Sequence, residues 1–160
     1  MADVAVTGDT ITAVGRVTDR GLVEVDVRGL VLAPGFIDIH SHADLNLLIE
    51  PRAESRIRQG VTLEVVGQDG SSILWSREAA AERDRSWRES YGVGIDFHDL
   101  GGFLDRLDRT PVAVNVASMV GHGTLRGFVV GSEDRPASPS EIERMRELLR
   151  EGLNQGAVGL

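Results

Sequence analysis

The apolar positions of the chain follow two successive rhythms, and the change between them falls at Pro34-Gly35. Before it, apolar residues come in short runs. Val4-Ala5-Val6 and Ile11-Thr12-Ala13-Val14 flank Gly8-Asp9, the pattern of a β-hairpin over 4–14 closed by a two-residue primed turn. Leu22-Val23-Glu24-Val25-Asp26-Val27 alternates apolar with charged residues, the period of a half-exposed strand, and Leu30-Val31-Leu32 comes after it. An all-β start is therefore predicted, ending where proline and glycine interrupt the pattern.

After Pro34, compact apolar runs alternate with helical spacing. Phe36 to Ile39 predicts a strand, and Pro51 to Gln59 a helix with proline near its first turn and Gly60 at its end. The β-branched run Val61-Thr62-Leu63-Glu64-Val65-Val66 predicts a second strand, with a loop over 67–72 beyond it. Residues 77–90 are strongly charged and predict a helix with a solvated face. Leu100, Phe103, Leu104 and Leu107 recur at helical spacing despite Gly101-Gly102. Residues 112–120 predict a third strand with Val112, Val114 and Val116 on one face, and 121–137 a loop. Ser138-Pro139-Ser140-Glu141 is a capping box with proline at the first helical position. Ile142, Met145, Leu148, Leu149 and Leu153 form the buried stripe expected of that helix. Gly156 ends it, and 157–160 opens what reads as a fourth strand.

Strands alternating with helices predict an α/β fold with a parallel sheet. Three to four β/α units are visible, whereas a closed TIM-type (β/α)8 barrel takes about 250 residues. The expectation is the N-terminal part of such a barrel over 34–160, preceded by a separate β segment over 1–33.

Composition narrows the partners. With 17 Lys+Arg against 25 Asp+Glu, the formal net charge is −8. That balance argues against a nucleic-acid or anionic membrane surface, both of which need clustered positive charge. Cysteine is absent, which excludes disulfides and thiolate ligands. Met1 to Val6 lacks the basic and apolar regions of a signal peptide, and no apolar run reaches the ~18 residues of a membrane span. A cytoplasmic protein with a small-molecule partner is expected.

The candidate chemistry begins in Phe36-Ile37-Asp38-Ile39-His40-Ser41-His42. Residues two apart on a strand point to one side, about 6.6 Å apart. His40 and His42 then share a face, at the end of a buried strand, in a pairing that suits zinc or a similar divalent ion. Asp38 shares that face and reads as an acceptor orienting a ligand imidazole, or else as the partner of a barrel arginine or lysine in a salt bridge. Asp69, in Gly67-Gln68-Asp69-Gly70, lies beyond a strand's C-terminal end, where barrel sites form; it reads equally as a ligand or a turn residue. His122, between Gly121 and Gly123, reads as a pocket-lining residue or as a loop histidine bonded to backbone. Asp44 is expected to cap a helix, His98 to be structural, and Trp75 and Trp87 to be packing residues.

These stretches taken together resemble the amidohydrolase superfamily, in its N-acyl-D-amino-acid deacylase (D-aminoacylase) branch. The resemblance is carried by Ala33-Pro34-Gly35-Phe36-Ile37-Asp38-Ile39-His40-Ser41-His42 and by Gly60 to Gly67. Further on it is carried by Asn115-Val116-Ala117, Val120-Gly121-His122-Gly123-Thr124-Leu125-Arg126 and Gly156 to Leu160. It implies a TIM-type barrel flanked by a small β-sandwich, of which 1–33 would be part. It also implies a divalent metal, zinc first among the choices, on His40 and His42. The family's next ligand is a cysteine, and Asp69 stands at the matching position. Two further histidine ligands and an aspartate base are expected beyond Leu160.

The resemblance thus implies a metal-dependent hydrolase of a non-peptide linear amide C–N bond, with an N-acyl-D-amino acid as substrate. Such a metal lowers the pKa of water to about 7. With the base lying elsewhere, the 160 residues alone are expected to be inactive and prone to self-association. Two rivals stand beside this reading. One is a cyclic-amide hydrolase of hydantoinase or dihydroorotase type, which the absence of lysine from the chain disfavours. The other is a non-catalytic remnant.

Overall fold

A computed structural model describes residues 2–160, which divide into two compact units, one ending at Pro34 and the other spanning Gly35–Leu160. In the first, β1 (Asp3–Thr7) and β2 (Thr10–Gly15) pair antiparallel with Thr7 opposite Thr10. Gly8 takes φ +62° in the turn, a conformation that glycine adopts without a side-chain clash. The strands expected over 22–27 and 30–32 do not form, and Leu22, Val23, Val25, Val31 and Leu32 are exposed. Alternation supplies one apolar face but no partner, and a lone strand has neither ladder bonds nor a surface to cover. Local contacts prevail instead: Arg28 grips Asp26 with Nε and Nη2, and Leu30 N–H donates to Val27 O.

The second unit runs β3 (Phe36–Asp38), α1 (Asn46–Ile49), α2 (Glu54–Ile57), β4 (Val61–Val66), α3 (Arg77–Tyr91), α4 (Leu100–Asp108), β5 (Asn115–Ser118), α5 (His122–Val129) and α6 (Pro139–Asn154). The three strands form one parallel sheet in the order β3-β4-β5, with Asp38 opposite Glu64 and Val66 opposite Ser118. The α/β class and the parallel sheet are thus as expected. Residues 157–160 form no regular strand, yet Val158 N–H donates to Ser118 O and Val120 N–H to Gly159 O, both at 2.9 Å. They run along the edge of β5 without closing a ladder.

The core lies on one side of this sheet. Val66 from β4 and Val114 ahead of β5 pack with Leu47 and Leu48 of α1 and Leu100, Phe103 and Leu107 of α4. Trp75 stacks on Phe97 at 6.0 Å between centroids, and Phe97 tilts against Phe103 at 5.5 Å. Trp75 and Trp87 both pack against the core, in keeping with their expected role. The α4 helix tolerates Gly101-Gly102 because Asp99 caps it, accepting from Gly102 N–H at 2.9 Å.

Several expected boundaries move. The helix predicted over 51–59 is the single turn of α2, entered through Ala53 at φ +44°, so Pro51 lies outside it. The loop predicted over 121–137 contains α5: three glycines hide it in the sequence, but buried Leu125 packs with Leu148 of α6. Arg126 secures the segment between α5 and α6 by donating to the carbonyls of Gly131, Glu133 and Arg135. The capping box of α6 is present, with Glu141 also gripped by Arg135. Its stripe is narrower than expected, because Ile142 and Leu153 are exposed. Among the described residues no helix is long and apolar enough to cross a membrane.

Candidate metal centre

The sheet sets the position of the histidines. β3 ends at Asp38, and the chain then bends, tied to β4 by Ser41 N–H donating to Val65 O at 3.0 Å. Ser41 turns to the buried side, which leaves His40 and His42 on the exposed side with ring centroids 5.3 Å apart. The loop after β4 meets them there. His40 Nε2 stands 3.2 Å from Asp69 Oδ2, and His42 Nε2 stands 3.6 Å from the same oxygen. One donor atom from each of the three residues lies within 4.8 Å of the others, so the group could hold a metal ion. Two imidazole nitrogens and a carboxylate oxygen are an ordinary zinc donor set, and the exposure of all three leaves room for further ligands. The sequence leaves Asp69 open between ligand and turn residue; it sits in a turn at φ +59°, with its carboxylate turned towards both imidazoles.

The loop is braced from three directions. Gln68 Nε2 donates to Ile39 O at 3.0 Å, joining the loop to the histidine segment. Ser71 Oγ stands 3.3 Å from His42 Nδ1 and itself donates to Gln68 O. On the third side, Gly121 N–H donates to Ser72 Oγ at 2.9 Å. A Cβ at Gly123 would lie 2.7 Å from Asp69 O, so glycine there permits the start of α5 to abut the turn.

Other expected residues fall elsewhere. Asp38 makes no bond to an imidazole: Oδ1 accepts from the His40 backbone N–H at 3.2 Å, and Oδ2 pairs with Arg56 at 3.4 Å. Of the two expected roles, the salt bridge is therefore the contact it makes, with an arginine as its partner. Period-two spacing places Asp38 with the histidines, but the strand ends before them and the alternation does not continue. Asp44 caps no helix; α1 has no side-chain cap, and Asp44 Oδ1 accepts from Gly67 N–H at 3.1 Å instead. Burial pushes the Asp44 carboxyl above its usual range, and the Gly67 bond partly offsets this. His122 is exposed as the first residue of α5. A cleft of about 620 Å³ opens beside His42, bounded by Asp44, Ser71, Trp75, Arg83 and Thr124, and His122 is not among its lining residues. His98 is half-buried, and its backbone carbonyl accepts from Trp75 N–H at 2.8 Å.

Sequence reasoning passes over Glu64, Arg56 and Ser41. Glu64 is 0% exposed, and its side chain contacts the other two. The signal is a carboxylate inside a β-branched run, since a buried charge demands a partner.

Alternating parallel strands and helices, with two histidines and a loop carboxylate gathered beyond the strands, define an α/β protein with a candidate divalent-metal centre. Residues 23–160 match the amidohydrolase family, and the chain belongs to it. It is 41% identical over 160 residues to a D-aminoacylase of Alcaligenes xylosoxydans xylosoxydans, covering 99% of this chain and 33% of that protein. A solved D-aminoacylase, described through the functional role of its binuclear metal center, matches with TM-score 0.81 at 38% identity, over 99% of this chain and 34% of that one. An N-acyl-D-glutamate deacylase from Bordetella bronchiseptica, complexed with zinc and a phosphonate mimic of the tetrahedral intermediate, matches with TM-score 0.75 at 28% identity. That match covers 99% of this chain and 33% of the other. The chain spans about a third of the length of the curated relatives it matches.

Proposed function

We propose that the chain forms the first part of a metal-dependent deacylase that hydrolyses the linear amide of an N-acyl-D-amino acid. The observation that carries this reading is the convergence of His40, His42 and Asp69 on a common point. In the proposed architecture β3, β4 and β5 are the first strands of a TIM-type barrel, with 157–160 leading into the next. The segment before Pro34 is part of a flanking β-sandwich. Support comes from the parallel order β3-β4-β5 and from the likeness to the two solved deacylases.

In this reading His40 and His42 hold a divalent metal, zinc by preference, and Asp69 stands in for the family's cysteine as the next ligand. When bound, such an ion supplies Lewis-acid polarisation of an amide carbonyl and makes water acidic enough to react near neutral pH. Asp38 contributes by fixing the His40 backbone, and Ser71 by holding the His42 ring. The cleft beside His42 receives the small-molecule substrate, and the base that moves the proton comes from a segment matching the rest of the relatives. On this reading the 160 residues bind metal without turning substrate over.

The test measures zinc content and hydrolysis of N-acetyl-D-amino acids in two proteins. One is this chain; the other is extended by sequence corresponding to the remainder of the relatives. Metal in both and turnover only in the longer protein is the expected result. An active longer protein free of metal, or one unaffected by His40→Ala and His42→Ala together, would refute the reading.

A further inference from the structure

Behind the two histidines, on the opposite side of their segment, lies a charged cluster that the metal reading does not use. Glu64 sits in the middle of β4 and is fully buried. It faces the same side as Val66, whose neighbours are the helices of the core. Its Oε2 accepts from Ser41 Oγ at 2.5 Å. Arg56 Nε stands 3.1 Å from Oε1 but is out of line for a hydrogen bond, so charge alone holds that oxygen. The same guanidinium reaches Asp38 Oδ2 through Nη1, and Asp38 Oδ1 accepts from the His40 backbone N–H. Beyond His42, Ala43 N–H donates to Ser41 Oγ at 3.2 Å.

The consequence is a segment pinned at each end and at its centre. His40 is held through its backbone by Asp38. Ser41, between the histidines, is held by Glu64, and its hydroxyl in turn holds the residue after His42. Arg56 bridges the two carboxylates. A packing role alone at position 64 would be met at lower cost by an apolar residue, because a buried ion pair is often no more stabilising than a hydrophobic replacement. An oriented hydroxyl between two donor imidazoles is something an apolar residue cannot supply.

We propose that Glu64, acting through Ser41 with Arg56 as its counter-charge, is a positioning residue that sets the aim of His40 and His42. The proposal rests on the reading of His40, His42 and Asp69 as a metal site. Groups that orient metal ligands typically account for about 10–100-fold in metal affinity, and Glu64 does so here through the backbone segment that carries both histidines rather than through a bond to either ring.

Zinc affinity of this chain is measured by competition with a chromophoric chelator, alongside the visible spectrum of the cobalt(II) complex. The variants are Ser41→Ala, Glu64→Gln and His40→Ala. Leu107→Ala, buried in α4, serves as a control for general destabilisation, and all are assayed at a temperature where circular dichroism shows them folded. Ser41→Ala and Glu64→Gln are expected to weaken zinc by about 10–100-fold and to alter the cobalt bands, with Leu107→Ala unchanged in both. Should Glu64→Gln not fold, Ser41→Ala, which deletes a single oxygen, decides the matter. Zinc binding that is lost in His40→Ala but undiminished in Ser41→Ala overturns the positioning role alone. No zinc binding by the unaltered chain overturns the metal site and the positioning role with it.

Discussion

Replacing Arg56 by methionine isolates the charge that Glu64 depends on. The thioether keeps much of the arginine stem's volume, so the packing of α2 changes little, while Glu64 stays fully buried with one hydroxyl donor. Breaking a buried pair by removing one partner costs about 3–5 kcal/mol, because the remaining charge is left without compensation. The Arg56 side chain is 39% exposed, so water screens the pair and places the expectation near the lower limit, about 3 kcal/mol. For a unit of this size each kcal/mol lowers the melting temperature by about 3–4 °C, giving a drop of roughly 10 °C. Thermal unfolding monitored by circular dichroism measures it. The double variant Arg56→Met with Glu64→Gln removes the orphaned charge and should recover most of the loss. A single variant within about 0.5 kcal/mol of the parent, or a double variant as unstable as the single, would refute the account of Glu64 as a charge held by Arg56.

Four other outcomes rest on named contacts. Phe103→Ala empties a position that is 0% exposed and should cost about 3–5 kcal/mol in chemical denaturation. Gly67→Ala puts a Cβ into the carbonyl of Met119 at φ +81° and should destabilise the fold by more than about 1 kcal/mol, with a lower melting temperature. Arg135 holds the Glu141 carboxyl down to about 2 against an ordinary 4.5. The folded value is the depressed one, so its stabilisation is present above 4.5 and is lost as pH falls from there through about 2. A Glu141→Gln variant should show a flatter acid limb in a pH series of melting temperatures. Asp69→Asn and Asp69→Gly both suit a left-handed turn, yet each should weaken zinc by at least about tenfold in chelator competition.

What the sequence discloses and what it conceals separate along one physical line. Local signals are legible. The hairpin turn at Gly8, the capping box at Ser138 and Glu141, and the β-branched run of β4 each depend on residues within a few positions. The α/β class emerges from their order. Features decided by a distant partner are not legible. The alternation at 22–27 promises a strand, but a strand needs a neighbour and none pairs with it among the described residues. At α5, Gly121, Gly123 and Gly127 outweigh the one leucine that α6 buries. Within the site, the histidine pair is visible because its spacing is local, whereas the partner of Asp38 stays open between an imidazole and an arginine or lysine. Its guanidinium comes from α2, and the end of β3 at Asp38 breaks the alternation that favours the imidazole.

The turn at Asp69 and the placement of its carboxylate beside the imidazoles depend on one device. A carboxylate aimed back at a neighbouring strand requires the chain to reverse sharply, and the left-handed conformation at φ +59° provides the reversal. Aspartate belongs to the small set of residues that enter that conformation with modest strain. The turn would still be free to swing were it not fixed from outside. Gln68 ties it to the histidine segment, and Gly121 and Gly123 let the first turn of α5 press against its backbone. The helix that the glycines conceal in the sequence is therefore the element that those glycines allow to hold the turn. The same residues that obscure α5 position Asp69 within 3.6 Å of both imidazoles, so the accuracy of the donor group depends on α5 as much as on β3.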